Sequence, residues 1–467
     1  MSSTAKQFQA KIFKNDALEN SDSHPVFLTK VEVNGGDNMS RQFFSKLLSP
    51  LVEKSDYTLG QLVSKVDESS ENLERTDVFE KISPSLHVDY THSAPEKKSY
   101  NKENPLVTKV IFDLESKELS TGNLDLGFNN EDNLIVDLGY INNNFNHNAE
   151  LVKIGVNYRP YKPFEHLVSG VRLESNLRNP TFKFVLDLYN SHENNQTWQQ
   201  SSSKCAGGLI GISYLNHRNT ISVFNGLSLV KRTIYDFGDG ASDILKSFGG
   251  DFLKSSIISS FSYNSTLKSN GYINDGLQLS LKNQISSDQE QGNPINNQFG
   301  FIKTSGSFDF YKSFFNNAVT THIFKEAGSI FTGGSSKEVH VSDKFYLGGF
   351  DNFKGFARNS VNEKGGFQFY KAGATVYGKV PSFLHPNLNP ETNPMRLYVT
   401  GMTGNVGNNI FNESSVFSLG VGLRYIHQFV KLDVGYYLSK RASGESNYGV
   451  RDGFQLEISL GGAGRAK

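Results

Sequence analysis

Few residues of this chain have types and spacings that could do chemistry. The 11 histidines are scattered, with no His-Glu-x-x-His and no paired ligand spacing, so no metal centre is indicated. Cys205 is the single cysteine; it excludes an internal disulfide framework and a multi-cysteine zinc site, and reads as a small buried or lumenal side chain. There is no Gly-x-Ser-x-Gly elbow, and Gly461-Gly462-Ala463-Gly464 lacks the order of a phosphate-binding loop. Sequons at Asn38, Asn195, Asn264 and Asn412 are what chance gives in an Asn- and Ser-rich chain. No nucleophile sits beside a base. The sequence proposes no enzyme, no cofactor and no metal ligand.

One segment stands apart. Residues 331–366 contain DKFYLGGFDNFKGFARN, in which Phe345, Tyr346, Leu347, Phe350, Phe353 and Phe356 would be costly to leave in water. A surface loop of this length should be polar. The aromatics therefore predict a loop folded inward, with Gly348, Gly349 and Gly355 permitting the tight backbone of an inward hairpin.

The elements that must hold such a loop follow from composition. The chain has 467 residues, 47 basic and 47 acidic, for a formal charge of zero, which argues against nucleic acid as a partner. No run of 18 apolar residues offers a transmembrane helix, and the first twenty residues carry no apolar signal core. With 36 Phe, 20 Tyr and 43 Gly against 13 Pro, the composition leans towards strands joined by polar turns.

Residues 1–24 read as a polar, disordered leader. From Pro25 an α+β unit follows. PVFLTKVEVNG is a strand; Ser40 caps a helix bearing Phe44, Leu47, Leu48 and Leu51, which Pro50 would kink or end. Thr58 caps a second helix with Leu59, Leu62, Val63 and Val66 on one stripe, before two strands separated by the charged loop around Glu96. The expected order over 25–116 is β-α-α-β-β.

Over 117–464 helical periodicity gives way to alternation. SVFSLGVGLRY sets Phe417, Leu419, Val421, Leu423 and Tyr425 against Ser418, Gly420, Gly422 and Arg424. Sixteen such strands are expected, from 119–128 and 133–142 to 428–439 and 452–460. The long connections, 190–205, 232–251, 287–298, 331–366 and 440–451, all have odd rank; the even-ranked ones are short, 381–393 excepted. Loops sorted to one rim are a trait of membrane barrels that a soluble sandwich has no reason to share.

Taken together, the α+β unit, the sixteen strands and the aromatic loop resemble the BamA-like outer-membrane β-barrel insertases, most of all their mitochondrial branch, the barrel subunit of the sorting and assembly machinery. The resemblance covers about residues 25–464. It implies a single POTRA-like domain ahead of a 16-stranded antiparallel transmembrane barrel. The family's Arg-Gly-Phe lid motif falls on Lys354, Gly355 and Phe356, with Phe345, Tyr346, Phe350 and Phe353 as lid aromatics. Lys354 departs from the family's arginine, which in bacterial relatives reaches an acid on the facing wall. The strands FQFYKAGATVYGKVP and MRLYVTGMTGNVG contain no acid, so loss of both partners is expected, leaving Thr375 or backbone to receive Lys354.

The resemblance also implies insertion of β-barrel precursors into the mitochondrial outer membrane, without a cofactor, through a lateral gate between 119–128 and 452–460. On the first strand the gate residues are Gly122, Leu124, Leu126 and Gly127; on the last they are Gly453, Phe454, Leu456, Ile458 and Leu460. Glycines in both strands, and the run to Gly461, Gly462 and Gly464, weaken that ladder. Arg451, Gly453, Leu456 and Ile458 also fit the family's precursor signal, polar-x-Gly-x-x-apolar-x-apolar. Implied partners are unfolded β-barrel precursors, intermembrane-space chaperones, peripheral cytosolic-side sorting and assembly subunits, and the lipid bilayer. Two rival readings remain: a passive outer-membrane channel with an N-terminal adaptor or plug domain, and a soluble β-sandwich or solenoid.

Overall fold

The computed structural model describes residues 22–92, 105–216, 218–290, 298–333, 339–380, 393–412, 414–427, 429–442 and 448–461. The leader up to residue 21, the loop around Glu96, most of 381–393, and Gly462 and Gly464 lie outside them. Contacts divide the chain into two units. One runs to Thr121 and includes Ile141–Val152 and Glu174–Lys183; the other holds Gly122–Tyr140, Lys153–Leu173 and the chain from Phe184.

The first unit is built from β1 (Pro25–Asn34), α1 (Arg41–Leu47), α2 (Ser49–Val52), β2 (Asp56–Thr58), α3 (Leu59–Glu74), β3 (Phe79–Val88) and β4 (Leu106–Ser116). Its sheet order is β2-β1-β4-β3, with β1 and β4 parallel. Both caps form: the Ser40 hydroxyl accepts from Phe43 N at 3.1 Å, and Thr58 makes a reciprocal capping box with Gln61. The first helix ends at Leu47, ahead of Pro50, as the sequence reading expected; two details differ from that reading. The chain resumes at once in the short α2, with Pro50 in its opening turn, where its missing N–H costs nothing. Strand β2, three residues long, is too short to show a period. Phe43, Leu47, Leu51, Leu62, Val66 and Phe112 form the core.

The barrel strands are β5 (Ser120–Asn129), β6 (Asn133–Phe145), β7 (Glu150–Arg159), β8 (His166–Asn176), β9 (Phe182–Asn194), β10 (Ser202–Leu215), β11 (Ile221–Tyr235), β12 (Gly250–Asn264), β14 (Tyr272–Glu290), β15 (Gln298–Phe314), β16 (Val319–Thr332), β17 (Gln368–Lys379), β18 (Met395–Gly407), β19 (Val416–His427), β20 (Val430–Arg441) and β21 (Gly453–Gly461). These sixteen close into one antiparallel barrel; the three-residue β13 (Leu267–Ser269) only extends the β12–β14 turn, and the short α4 (Asp243–Ser247) sits between β11 and β12. The expected fold class therefore stands.

The barrel is inverted relative to a soluble protein. Leu227 and Leu229 are 59% and 54% exposed while Ser228 between them is 9% exposed; Phe417 and Leu419 are 48% and 66% exposed around Ser418 at 1%. A soluble sandwich would bury the leucines and wet the serines. An apolar exterior around a polar interior is the pattern of a barrel bathed in lipid.

Candidate functional site

The loop between β16 and β17 folds into the lumen. Its neck is closed by Phe345 and Gly366, whose N–H groups each donate to the other's carbonyl at 2.9 Å. Beyond the neck Leu347, Phe353 and Phe356 are fully buried, and they pack with Phe345, Phe369, Val406 and Val416. Phe350 is buried at 6% exposure, and Tyr346 stands edge-on to Trp198 at 4.8 Å while donating its hydroxyl to Val341 O at 3.0 Å. The inward lid read from the aromatics is therefore present. Gly355 takes φ +92°, and a Cβ there would overlap the Ser439 hydroxyl and stand 2.8 Å from Ser418 Oγ; only glycine fits.

Lys354 corrects a sequence expectation. Its Nζ lies 3.8 Å from Asp433 Oδ1 and 4.3 Å above the Phe350 ring. Thr375 instead bonds Thr400 at 2.8 Å. The facing acid exists; it sits on β20, not on the two strands that follow the lid in sequence. Burial lowers the Lys354 pKa, with Asp433 opposing that shift. Asp433 is itself held by Arg424 Nε and the Tyr398 hydroxyl, each at 2.7 Å, so Lys354 is the weaker of its two cations.

Two further anchors escaped sequence reasoning. Asp343, at the lid's start, pairs with Arg232 and Lys254 on β11 and β12, and Lys303 Nζ donates to its carbonyl at 2.6 Å. Burial pushes the Asp343 carboxyl up, but the two cations outweigh it and hold it below the usual carboxylate range. On the other side Glu131, in the turn after β5, accepts from Phe350 N at 2.8 Å and Arg358 N at 3.0 Å. Asp132 pairs with Arg358 and with Arg159 at 3.0 Å. The available signal was two adjacent acids in a short turn, Asn-Asn-Glu-Asp-Asn, which reads as an ordinary polar turn.

The lid also reaches the segment entering β21: Arg451 N donates to Gly355 O and Ala357 N to Gly449 O, both at 2.8 Å. It thus touches the chain on both sides of the barrel's closure. That seam, β5 against β21, comprises five residue pairs among the described residues, from Glu457↔Asn129 to Gly461↔Asp125, whereas β10 and β11 share fourteen. The seam brings Leu126, Gly127, Ile458 and Leu460 together. Gly122 and Leu124 lie beyond its pairs, and Gly453, Phe454 and Leu456 pair with β20 instead.

Such a barrel, apolar outside, polar within and filled by a seated loop, is of the outer-membrane transmembrane type. Residues 119–460 match the Omp85 superfamily domain, and the chain belongs to that superfamily. It is an integral outer-membrane protein of a family that inserts or transports proteins. Among solved structures it is similar to BamA from Haemophilus ducreyi lacking POTRA domains 1-3, with 12% identity, 93% of this chain and 84% of that one covered, and a TM-score of 0.71. It is also similar to CdiB from Acinetobacter baumannii, at 13% identity, 94% and 74% coverage and a TM-score of 0.58. At these identities the likeness concerns the fold alone. No curated protein matches the chain significantly.

Proposed function

We propose that this protein folds β-barrel precursors and inserts them into the mitochondrial outer membrane by opening the β5–β21 seam and templating strand pairing. The observation that carries the proposal is a seam of five pairs among the described residues, against eight in the neighbouring β20–β21 ladder and fourteen in β10–β11, flanked on both sides by the lid. A short ladder separates at lower cost than its neighbours. Once β21 leaves, residues 125–129 of β5 present a free edge to which a precursor's final strand adds by β-augmentation. No bond chemistry is involved. Leu126 and Gly127 template the first pairs, while Gly122 and Leu124 extend them for a longer strand; Ile458 and Leu460 are displaced.

The mitochondrial assignment rests on the resemblance of the α+β unit, lid and strand count, and on the precursor-signal pattern at Arg451, Gly453, Leu456 and Ile458. In this reading the POTRA-like unit faces the intermembrane space, receives precursors from chaperones there, and the barrel works with peripheral subunits on the cytosolic side. A disulfide between cysteines replacing Leu126 and Leu460, in a Cys205→Ser background, tests it. The locked barrel should stay folded and lose precursor insertion, and reduction should restore it. Undiminished insertion through the locked seam would contradict the proposed route through β5 and β21.

A further inference from the structure

The turn joining β5 to β6, residues 130–132, does two jobs at once. Its Asn130 carboxamide reaches across the seam: Nδ2 donates to Phe454 O at 2.7 Å, and Oδ1 accepts from Leu456 N at 2.8 Å. A carboxamide sets an N–H donor beside a carbonyl acceptor, as a peptide group does. Asn130 therefore adds a step to the ladder where the backbone of β5 has already turned away, just past the Asn129↔Glu457 pair.

The next two residues hold the lid. Glu131 accepts both lid amides, Phe350 N and Arg358 N, and Asp132 takes the Arg358 guanidinium. Glu131 and Asp132 are 8% and 1% exposed. The turn's own geometry is set by Asn129, whose Oδ1 accepts from Glu131 N at 2.9 Å and Asp132 N at 2.6 Å. Three consecutive side chains thus address the seam, the lid and the wall from one short, internally braced turn.

We infer that turn 130–132 is a latch that couples lid seating to seam closure, with Asn130 as the positioning residue that holds β21. The reasoning is electrostatic. With the lid seated, the buried Glu131 carboxylate has two N–H donors; with the lid gone it has neither, while Asp132 keeps Arg159 and the Asn129 carboxamide. A buried carboxylate without donors is penalised until it reaches water or new partners. The carboxylate and the two lid amides hold each other in place, so losing either the lid or the carboxylate frees the turn, and Asn130 moves with it. A cavity of about 160 Å³ between the turn, Phe350, Phe356 and Phe454 leaves room for that movement. The inference deepens the proposed function, since a lid displaced by an arriving precursor would unlatch the strand that the precursor replaces.

The test needs no precursor, so its failure is separable from failure of the insertase reading. Nitroxide labels on cysteines replacing Leu126 and Leu438, in full-length Cys205→Ser protein in lipid vesicles, report the open fraction of the seam. Asn130→Ala removes two hydrogen bonds and should raise that fraction about tenfold. Glu131→Ala, which touches no atom of β21 among the described contacts, should raise it by a similar factor. The double variant should match either single one. Heat-modifiable gel mobility should show an intact barrel in each. Should an alanine variant not fold, Asn130→Ser, too short to bridge Phe454 O and Leu456 N together, and Glu131→Gln, which keeps one acceptor oxygen for the two lid amides, give shifts in the same direction. A closed seam in Glu131→Ala, or effects that multiply in the double variant, would overturn the coupling; a closed seam in Asn130→Ala would overturn the latch itself.

Discussion

Gly355→Val separates the lid from the barrel that contains it. At φ +92° a non-glycine residue carries about 1–3 kcal/mol of backbone strain. The new Cβ also meets the Ser439 hydroxyl and lies 2.8 Å from Ser418 Oγ, and forcing apart a packed contact of this kind costs about 1–3 kcal/mol more. The whole penalty, about 2–6 kcal/mol, falls on the seated lid, because Gly355 belongs to no barrel strand. At about 1.4 kcal/mol per factor of ten, even the lower bound shifts seating about thirtyfold. Conductance in planar bilayers reads the lid, heat-modifiable gel mobility reads the barrel, and imported precursor reads the activity. The expected result is a raised conductance and impaired precursor release from a barrel that melts as before. Unchanged conductance, or equal loss of release and barrel stability, would refute the reasoning.

Other consequences follow from the anchors. Asp433→Asn should cost about 3–5 kcal/mol, the penalty of breaking a buried pair, because Arg424 loses its carboxylate, whereas Lys354→Met should cost no more than about 1 kcal/mol, its ammonium standing 3.8 Å away from Asp433; chemical denaturation in detergent ranks the two. His340 is fully buried between Phe248 and Phe252, its Nε2 without a hydrogen-bond partner among the described residues, and burial, reinforced by Arg232, lowers its pKa to about 3. Protonation thus favours the released segment: seating is at full strength above about pH 6.5 and weakens as pH falls towards 3, by about 2 kcal/mol between pH 7 and 5. Lid-dependent conductance should rise over that interval, and His340→Phe should remove the rise.

Much of the barrel was legible because lipid enforces a period of two on every strand. The β19 alternation of Phe417, Leu419 and Val421 against Ser418 and Gly420 is read directly, and the structure exposes the first set. Strand ends were less legible. β14 runs on through Ser286-Ser287-Asp288-Gln289-Glu290, where polar residues keep the ladder hydrogen bonds after the apolar requirement has lapsed. The lid was visible from its aromatics, since burial alone explains six large apolar residues in one loop. Its anchors were not. Asp433 stands in an ordinary alternating strand and meets Lys354 only because closure brings β20 alongside the loop. Asn130, Glu131 and Asp132 look like turn chemistry, and nothing local says that each faces a different element.

The most direct test of the central claim uses the lone thiol's absence. With Cys205→Ser, a cysteine at Leu126, opposite Leu460 in the seam, is presented with a precursor carrying one cysteine in its final strand. Disulfide capture in the membrane that is lost when the precursor cysteine moves by two residues, and regained when the β5 cysteine is moved by two from Leu126, is the expected result, since templated pairing fixes register. No capture, with the barrel folded and its partners present, would mean that the seam stays shut, and would contradict the account.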